Sequence, residues 1–103
     1  MERIEKIQSM LQENPSDSFL QHALALEYIQ MGDDEGAKKL FETILAREPG
    51  YVGSYYHLAK LLERQQDEQG AIAVYEKGMN EATAAGDQHA YNELRSALEE
   101  LTF

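Results

Sequence analysis

Apolar residues recur at intervals of three and four along most of the chain. That spacing gathers them on one face of an α-helix, whereas a half-buried strand would alternate them with polar neighbours. Ile4, Ile7 and Leu11 make a first such series. Leu20, Leu24, Tyr28 and Met31 make a second, and Ala37, Phe41, Ile44 and Leu45 a third. Tyr91, Leu94, Leu98 and Leu101 form a stripe near the C-terminus. Both prolines, Pro15 and Pro49, fall in polar breaks between apolar segments, and Gly32-Asp33 interrupts another pair. The pattern predicts about six helices and no strands. The first covers 2–13 and the second 17–31, with a third running from Asp33 toward Pro49. The others cover about 51–65, 67–84 and 87–101.

Comparing the chain with itself shows one offset that aligns residue types. Leu24-Ala25 returns as Leu58-Ala59, Tyr28 as Leu62, Asp33 as Asp67, Ala37 as Ala71 and Phe41 as Tyr75, each 34 residues later, and Pro15 returns as Pro49. Small residues meet small and large meet large, which a repeated packing geometry requires and amphipathicity alone does not. Between the helices of the first copy, Gly32 can take the left-handed conformation that ends a helix, and Asp33 can accept from the free amides of the next. The second copy has Gln66 where the glycine stood, so a strained or longer turn is expected there.

The series aromatic-x2-Leu-Gly/Ala-x2-Tyr, then Ala-x3-Phe, then Pro resembles the tetratricopeptide repeat. Two in-phase copies, 17–49 and 51–84, carry the resemblance, the second opening on Tyr55. The first copy has Gln21 at that aromatic position, with Leu20 expected to supply the missing packing, and the second has Thr83 in place of the closing proline. Residues 2–13 extend the phase as a half-repeat helix, with Ile7, Met10 and Leu11 placed before Pro15 as Phe41, Ile44 and Leu45 are before Pro49. After Gly86 the phase fails. Asn92, Glu93 and Ser96 stand where core residues would, so 87–101 reads as a capping helix with its own stripe. The resemblance implies a single domain, 1–103, of all-α class: a short right-handed superhelix of helical hairpins.

Composition narrows the function. At 103 residues and 43% hydrophobic content the chain suits one compact unit. Its 19 acidic against 9 basic residues give a net charge of −10, which repels phosphate backbones and anionic headgroups. Neither nucleic acid nor a membrane is an expected partner. No segment has the length or apolarity of a secretory signal or a span, so a cytoplasmic protein is expected. Without cysteine there is no disulfide or thiolate chemistry. His22, His57 and His89 lie in different helices, so no one-turn pair suggests a metal. Asp33-Asp34-Glu35 reads as carboxylates favoured at a helix N-terminus. Neither a phosphate-binding glycine loop nor an acid–base constellation appears, so no cofactor and no enzymatic activity are expected.

By resemblance, the inner wall is formed mainly by the first helix of each pair. Carried over position by position, it comprises Phe19, His22, Ala23, Leu26 and Ile29 in the first copy and Tyr56, His57, Lys60, Glu63 and Arg64 in the second. This implies a protein-interaction module that holds a peptide or partner protein. Phe19, Leu26, Ile29 and Tyr56 would anchor it, while Lys60 and Arg64 orient acidic groups. The positions that bind a terminal carboxylate in some relatives hold His22, Tyr56, Leu26 and Lys60 here, so that clamp does not carry over. The helix over 17–31 is apolar on two sides and needs two partners. The second could be the N-terminal helix, a bound peptide, or another copy of the chain in a twofold dimer.

Overall fold

The computed structural model describes residues 2–103. Six helices account for its regular structure: α1 (Glu2–Glu13), α2 (Ser18–Gln30), α3 (Asp34–Arg47), α4 (Gly53–Arg64), α5 (Glu68–Ala85) and α6 (Gln88–Thr102). No strand occurs among the described residues. The helices fall into two compact units, one ending at Glu48 and the other Pro49–Phe103. Each contains a helical hairpin and a third helix. That helix is α1, ahead of the α2–α3 hairpin, in the first unit and α6, after the α4–α5 hairpin, in the second.

Three interhelical turns share one hydrogen-bond scheme. At the end of α2, Gly32 N donates to Ile29 O and Asp33 N to Tyr28 O at 3.0 and 2.8 Å. After α4, Gln66 N donates to Glu63 O and Asp67 N to Leu62 O at 3.1 and 2.9 Å. Past α5, Gly86 N donates to Thr83 O and Asp87 N to Ala82 O at 3.1 and 2.9 Å. These paired bonds satisfy carbonyls that the ending helix leaves open. Each aspartate then caps the next helix: Asp33 Oδ1 accepts from Gly36 N, Asp67 Oδ1 from Gly70 N and Asp87 Oδ1 from Ala90 N, at 2.9, 2.9 and 3.0 Å. The turn at Gln66 is therefore no longer than its counterpart. Gln66 adopts φ 64°, as Gly32 does at 83° and Gly86 at 70°, and bears the left-handed strain instead.

The small residues of the repeat are where the helices of each hairpin meet. Ala25, Ala37, Ala59 and Ala71 are fully buried, as are the large Phe41 and Tyr75. In the second unit Gly78 lets α5 pass close to α4 and α6. A Cβ there would lie 2.7 Å from Tyr55 Cβ and 3.0 Å from Leu94 Cδ1. The stripe of α6 settles with Leu94 and Ala97 buried and Tyr91, Leu98 and Leu101 half-buried. With Thr83 at the place of Pro49, α5 has no interruption there and continues to Ala85.

Several expectations in the first unit change. Gln21, at the aromatic's position, is itself buried, at 8% exposure, while Leu20 is only half-buried. The side chain of Gln21 donates from Nε2 to Pro15 O at 3.0 Å, as the Tyr55 hydroxyl donates to Pro49 O, six residues back in both cases. Arg47 Nη2 donates to Gln21 Oε1 at 2.9 Å and to Ser18 Oγ at 2.7 Å, and Ser18 Oγ donates to Glu48 Oε1 at 2.6 Å. A part-buried polar network, with Gln21 and Ser18 inside and Arg47 and Glu48 at the surface, thus does what the ring does in the second hairpin. Met31 ends α2 and is exposed rather than part of the core stripe. Met10 is 41% exposed where its counterpart Ile44 is fully buried, so the apolar packing of α1 runs through Ile4, Ile7 and Leu11. Those three meet Ala23, Leu24, Tyr28 and Leu40. Phe19 stays 71% exposed, so the N-terminal helix does not cover the whole second apolar side of α2.

Replacing Gln66 with glycine removes the left-handed penalty and should raise stability by about 1 kcal/mol, read as a higher urea midpoint. Gly78→Ala should lower it by roughly 1–3 kcal/mol, because the new methyl group meets side chains held from both neighbouring helices. An unchanged midpoint in either variant would contradict the corresponding account.

Candidate functional site

Helical periodicity distributes the wall positions of α2 between solvent and its neighbours. Phe19 is exposed, whereas His22, Ala23, Leu26 and Ile29 are half-buried. His22 packs edge-on against the Phe41 ring with centroids 5.4 Å apart, so part of its role is to join α2 to α3. In the first unit these positions make a helix surface with one prominent ring.

The α4 positions form a more structured group. Tyr56 is exposed at 36%, its ring edge-on to His57 at 5.7 Å, with the Lys60 ammonium 5.6 Å from the ring centroid. That places Lys60 within cation–π range. Lys60 Nζ also lies 3.6 Å from Glu63 Oε2, and the Tyr75 hydroxyl, rising from α5, donates to the same carboxylate oxygen. Glu63, expected only as a wall position, is thereby held on two sides. Arg64 closes α4 in its last turn, where a cation complements the helix dipole.

Burial decides the protonation of three groups here. It pushes the His57 imidazole below its ordinary range, with Glu93 pulling the other way, so His57 is neutral near pH 7. Burial also raises the Tyr75 phenol well above its usual range, followed by its bond to Glu63 and by nearby charge that includes Glu100. Tyr55 is pushed up to about 12 by burial and then by Glu81. All three are uncharged at neutral pH.

Tyr56 borders a cleft of about 340 Å³ between α4 and α6, whose other lining includes Asn92, Glu93, Ser96 and Glu100. The sequence pattern marked Asn92, Glu93 and Ser96 only as unable to continue the core. The signal was their break from the 34-residue phase, and the structure places them opposite Tyr56. The first unit has a cleft of about 510 Å³ with Leu11, Pro15, Gln21 and Leu40 in its wall, away from the expected surface. Among the described residues no three His, Asp or Glu side chains gather as metal ligands. Among the described residues no helix is long and apolar enough to cross a membrane.

The tetratricopeptide repeat family profile matches residues 28–98. A tetratricopeptide repeat domain protein from Salinibacter ruber superposes with a TM-score of 0.82 at 38% identity, over 85% of this chain and 89% of that one. A protein from Bordetella parapertussis does so with a TM-score of 0.82 at 28% identity, over 95% and 85%. PcrH, solved in complex with the chaperone binding region of PopD, shares the fold with a TM-score of 0.86 at 16% identity, over 96% and 75%. No curated protein matches the sequence.

Because the folded His57 has the lower proton affinity, the unfolded chain binds more protons as pH falls through the unfolded value of about 6.5. Stability is therefore expected to decline on acidification from pH 7.5 to 5.5. His57→Gln should flatten that part of the profile. Urea midpoints across the range check this, and an equal slope in both proteins would remove His57 as its source.

Proposed function

The chain belongs to the tetratricopeptide repeat family, and from that premise we propose that it is an interaction module that holds a peptide or a partner protein, without catalysing a reaction. The observation that carries the reading is Tyr56, an exposed aromatic ring bordering an open cleft between α4 and α6. Such a ring offers a large contact area with few rotatable bonds, which suits a docking anchor. Lys60 and Arg64 give the same helix a cationic edge, with Lys60 held between Glu63 and the Tyr56 ring, and half-buried His57 packs edge-on against Tyr56. On the first unit, Phe19, with His22, Leu26 and Ile29 along α2, supplies a further contact surface.

The complex of PcrH with a segment of PopD supports the reading at the level of fold, as a case in which this architecture carries part of another protein. A cytoplasmic setting belongs to the same proposal. Phe19, at 71% exposure, favours a second reading in which the chain pairs with its own copy through α2.

Calorimetric titration of a partner recovered by affinity capture tests the principal reading. Tyr56→Ala should weaken binding about tenfold or more, a loss of about 1.4 kcal/mol, with an unchanged thermal midpoint. Unaltered affinity would remove α4 as the contact. Sedimentation over a dilution series tests the second: a dimer that Phe19→Ser dissociates supports it, and a monomer at high concentration removes it.

A further inference from the structure

A chain of side-chain contacts joins Tyr56 to the core of the second hairpin. The Tyr75 hydroxyl donates to Glu63 Oε2, the Lys60 ammonium lies 3.6 Å from the same oxygen, and that ammonium stands over the Tyr56 ring, 5.6 Å from its centroid. His57 meets the ring edge-on at 5.7 Å. Tyr75 is wholly buried, Glu63 and Lys60 are half-buried, and Tyr56 is exposed, so the series runs from the core to the surface. The residues 34 positions earlier are Phe41, Ile29, Leu26 and His22. None of the first three has a polar side-chain atom, and His22 packs on the Phe41 ring instead. The slot that Tyr75 fills therefore accepts a plain phenyl ring, and repeat packing does not call for its hydroxyl.

Resting on the proposed docking role of Tyr56, we propose that Tyr75 and Glu63 are positioning residues for that anchor: they hold the Lys60 ammonium on the Tyr56 ring, so Lys60 serves the ring rather than an acidic group of the partner. A tyrosine on a helix surface otherwise samples several rotamers, and a partner must select one of them on binding. With a cation over its face and an imidazole at its edge, the ring is ordered before contact. An exposed Lys–Glu pair by itself contributes little, because two long side chains have to be ordered together. Here the bond from a buried phenol has already ordered the carboxylate. Burial keeps that phenol protonated, and hence a donor, at neutral pH.

Proton NMR of the free protein tests the geometry. The Lys60 side-chain methylene resonances should lie upfield of ordinary lysine positions, moved by the Tyr56 ring current, and should return to them in Tyr56→Ala. Tyr75→Phe removes the hydroxyl and keeps the ring, whereas Glu63→Gln keeps an acceptor for Tyr75 and removes the charge facing Lys60. Each should reduce the upfield displacement. Ordinary Lys60 positions in the wild type, or a displacement that neither variant reduces, would overturn the positioning role and leave the docking role of Tyr56 standing. Binding is read with a peptide panned from a random library on the whole protein and chosen because Tyr56→Ala weakens it. Its affinity, by fluorescence anisotropy, should fall roughly three- to tenfold in both variants, the cost of ordering a side chain on association. Circular dichroism with a thermal melt establishes that both variants fold. If Lys60 instead contacts the peptide, Glu63→Gln frees the ammonium for it, so an unchanged or higher affinity would overturn the positioning role. A library that yields no peptide sensitive to Tyr56→Ala would overturn the docking role, and the positioning role with it.

Discussion

Helix ends leave backbone amides and carbonyls without partners, and this protein answers that constraint three times with one device. Asp33, Asp67 and Asp87 each donate a backbone N–H to the helix just completed and offer a side-chain oxygen to the one about to begin. A single residue thus closes one helix and opens another, which keeps the turns to two or three residues and sets the direction of the returning helix. The placement of the buried alanines, of Tyr55 against Gly78 and of the α6 stripe follows from where those turns fall. Even the strain at Gln66 is accommodated within the device, because its hydrogen bonds are the same as those around Gly32.

The two hairpins reach one packing result by unlike chemistry. Tyr55 fills its slot with a ring and ties its hydroxyl to Pro49 O, whereas Gln21 reaches Pro15 O through an amide and needs Arg47 and Ser18 to complete the arrangement. A buried amide is tolerated only when its donors and acceptors are matched, and no buried side-chain polar atom lacks a partner among the described residues. The same economy appears at Phe41 and Tyr75. The extra hydroxyl of Tyr75 is bonded to Glu63, which in turn steadies a carboxylate beside the exposed face of α4.

Function in this architecture depends on what the repeat does not dictate. Core positions repeat because helices must pack; the outward positions vary freely, and there recognition is written. Tyr56 and Lys60 on α4 and the polar residues of α6 are outward positions of this kind, and in the proposed docking role this surface would meet the partner. Their interest lies in being brought to one cleft, with neutral His57 packed beside Tyr56 and negative charge concentrated on the α6 side.

Six helices, their breaks and the family were legible in the chain itself, because the 34-residue recurrence of residue size and the Gly-Asp and Pro signals are local or periodic. Residue patterns of that kind report backbone geometry and one buried face, and they do so without knowledge of neighbours. Only the tertiary structure decided that Gln21 rather than Leu20 fills the aromatic slot, since its partners Pro15 and Arg47 converge through folding. Tertiary packing also left Phe19 and Met10 in solvent, because α1 meets α2 along one stripe. Likewise, Asn92, Glu93 and Ser96 looked like an interruption in the series. They became the wall of a cleft once α5, lacking a proline at Thr83, ran on to Ala85 and set α6 with that polar face toward α4. Sequence periodicity determines which residues leave water, whereas which polar residues face one another is settled by how the helices are placed.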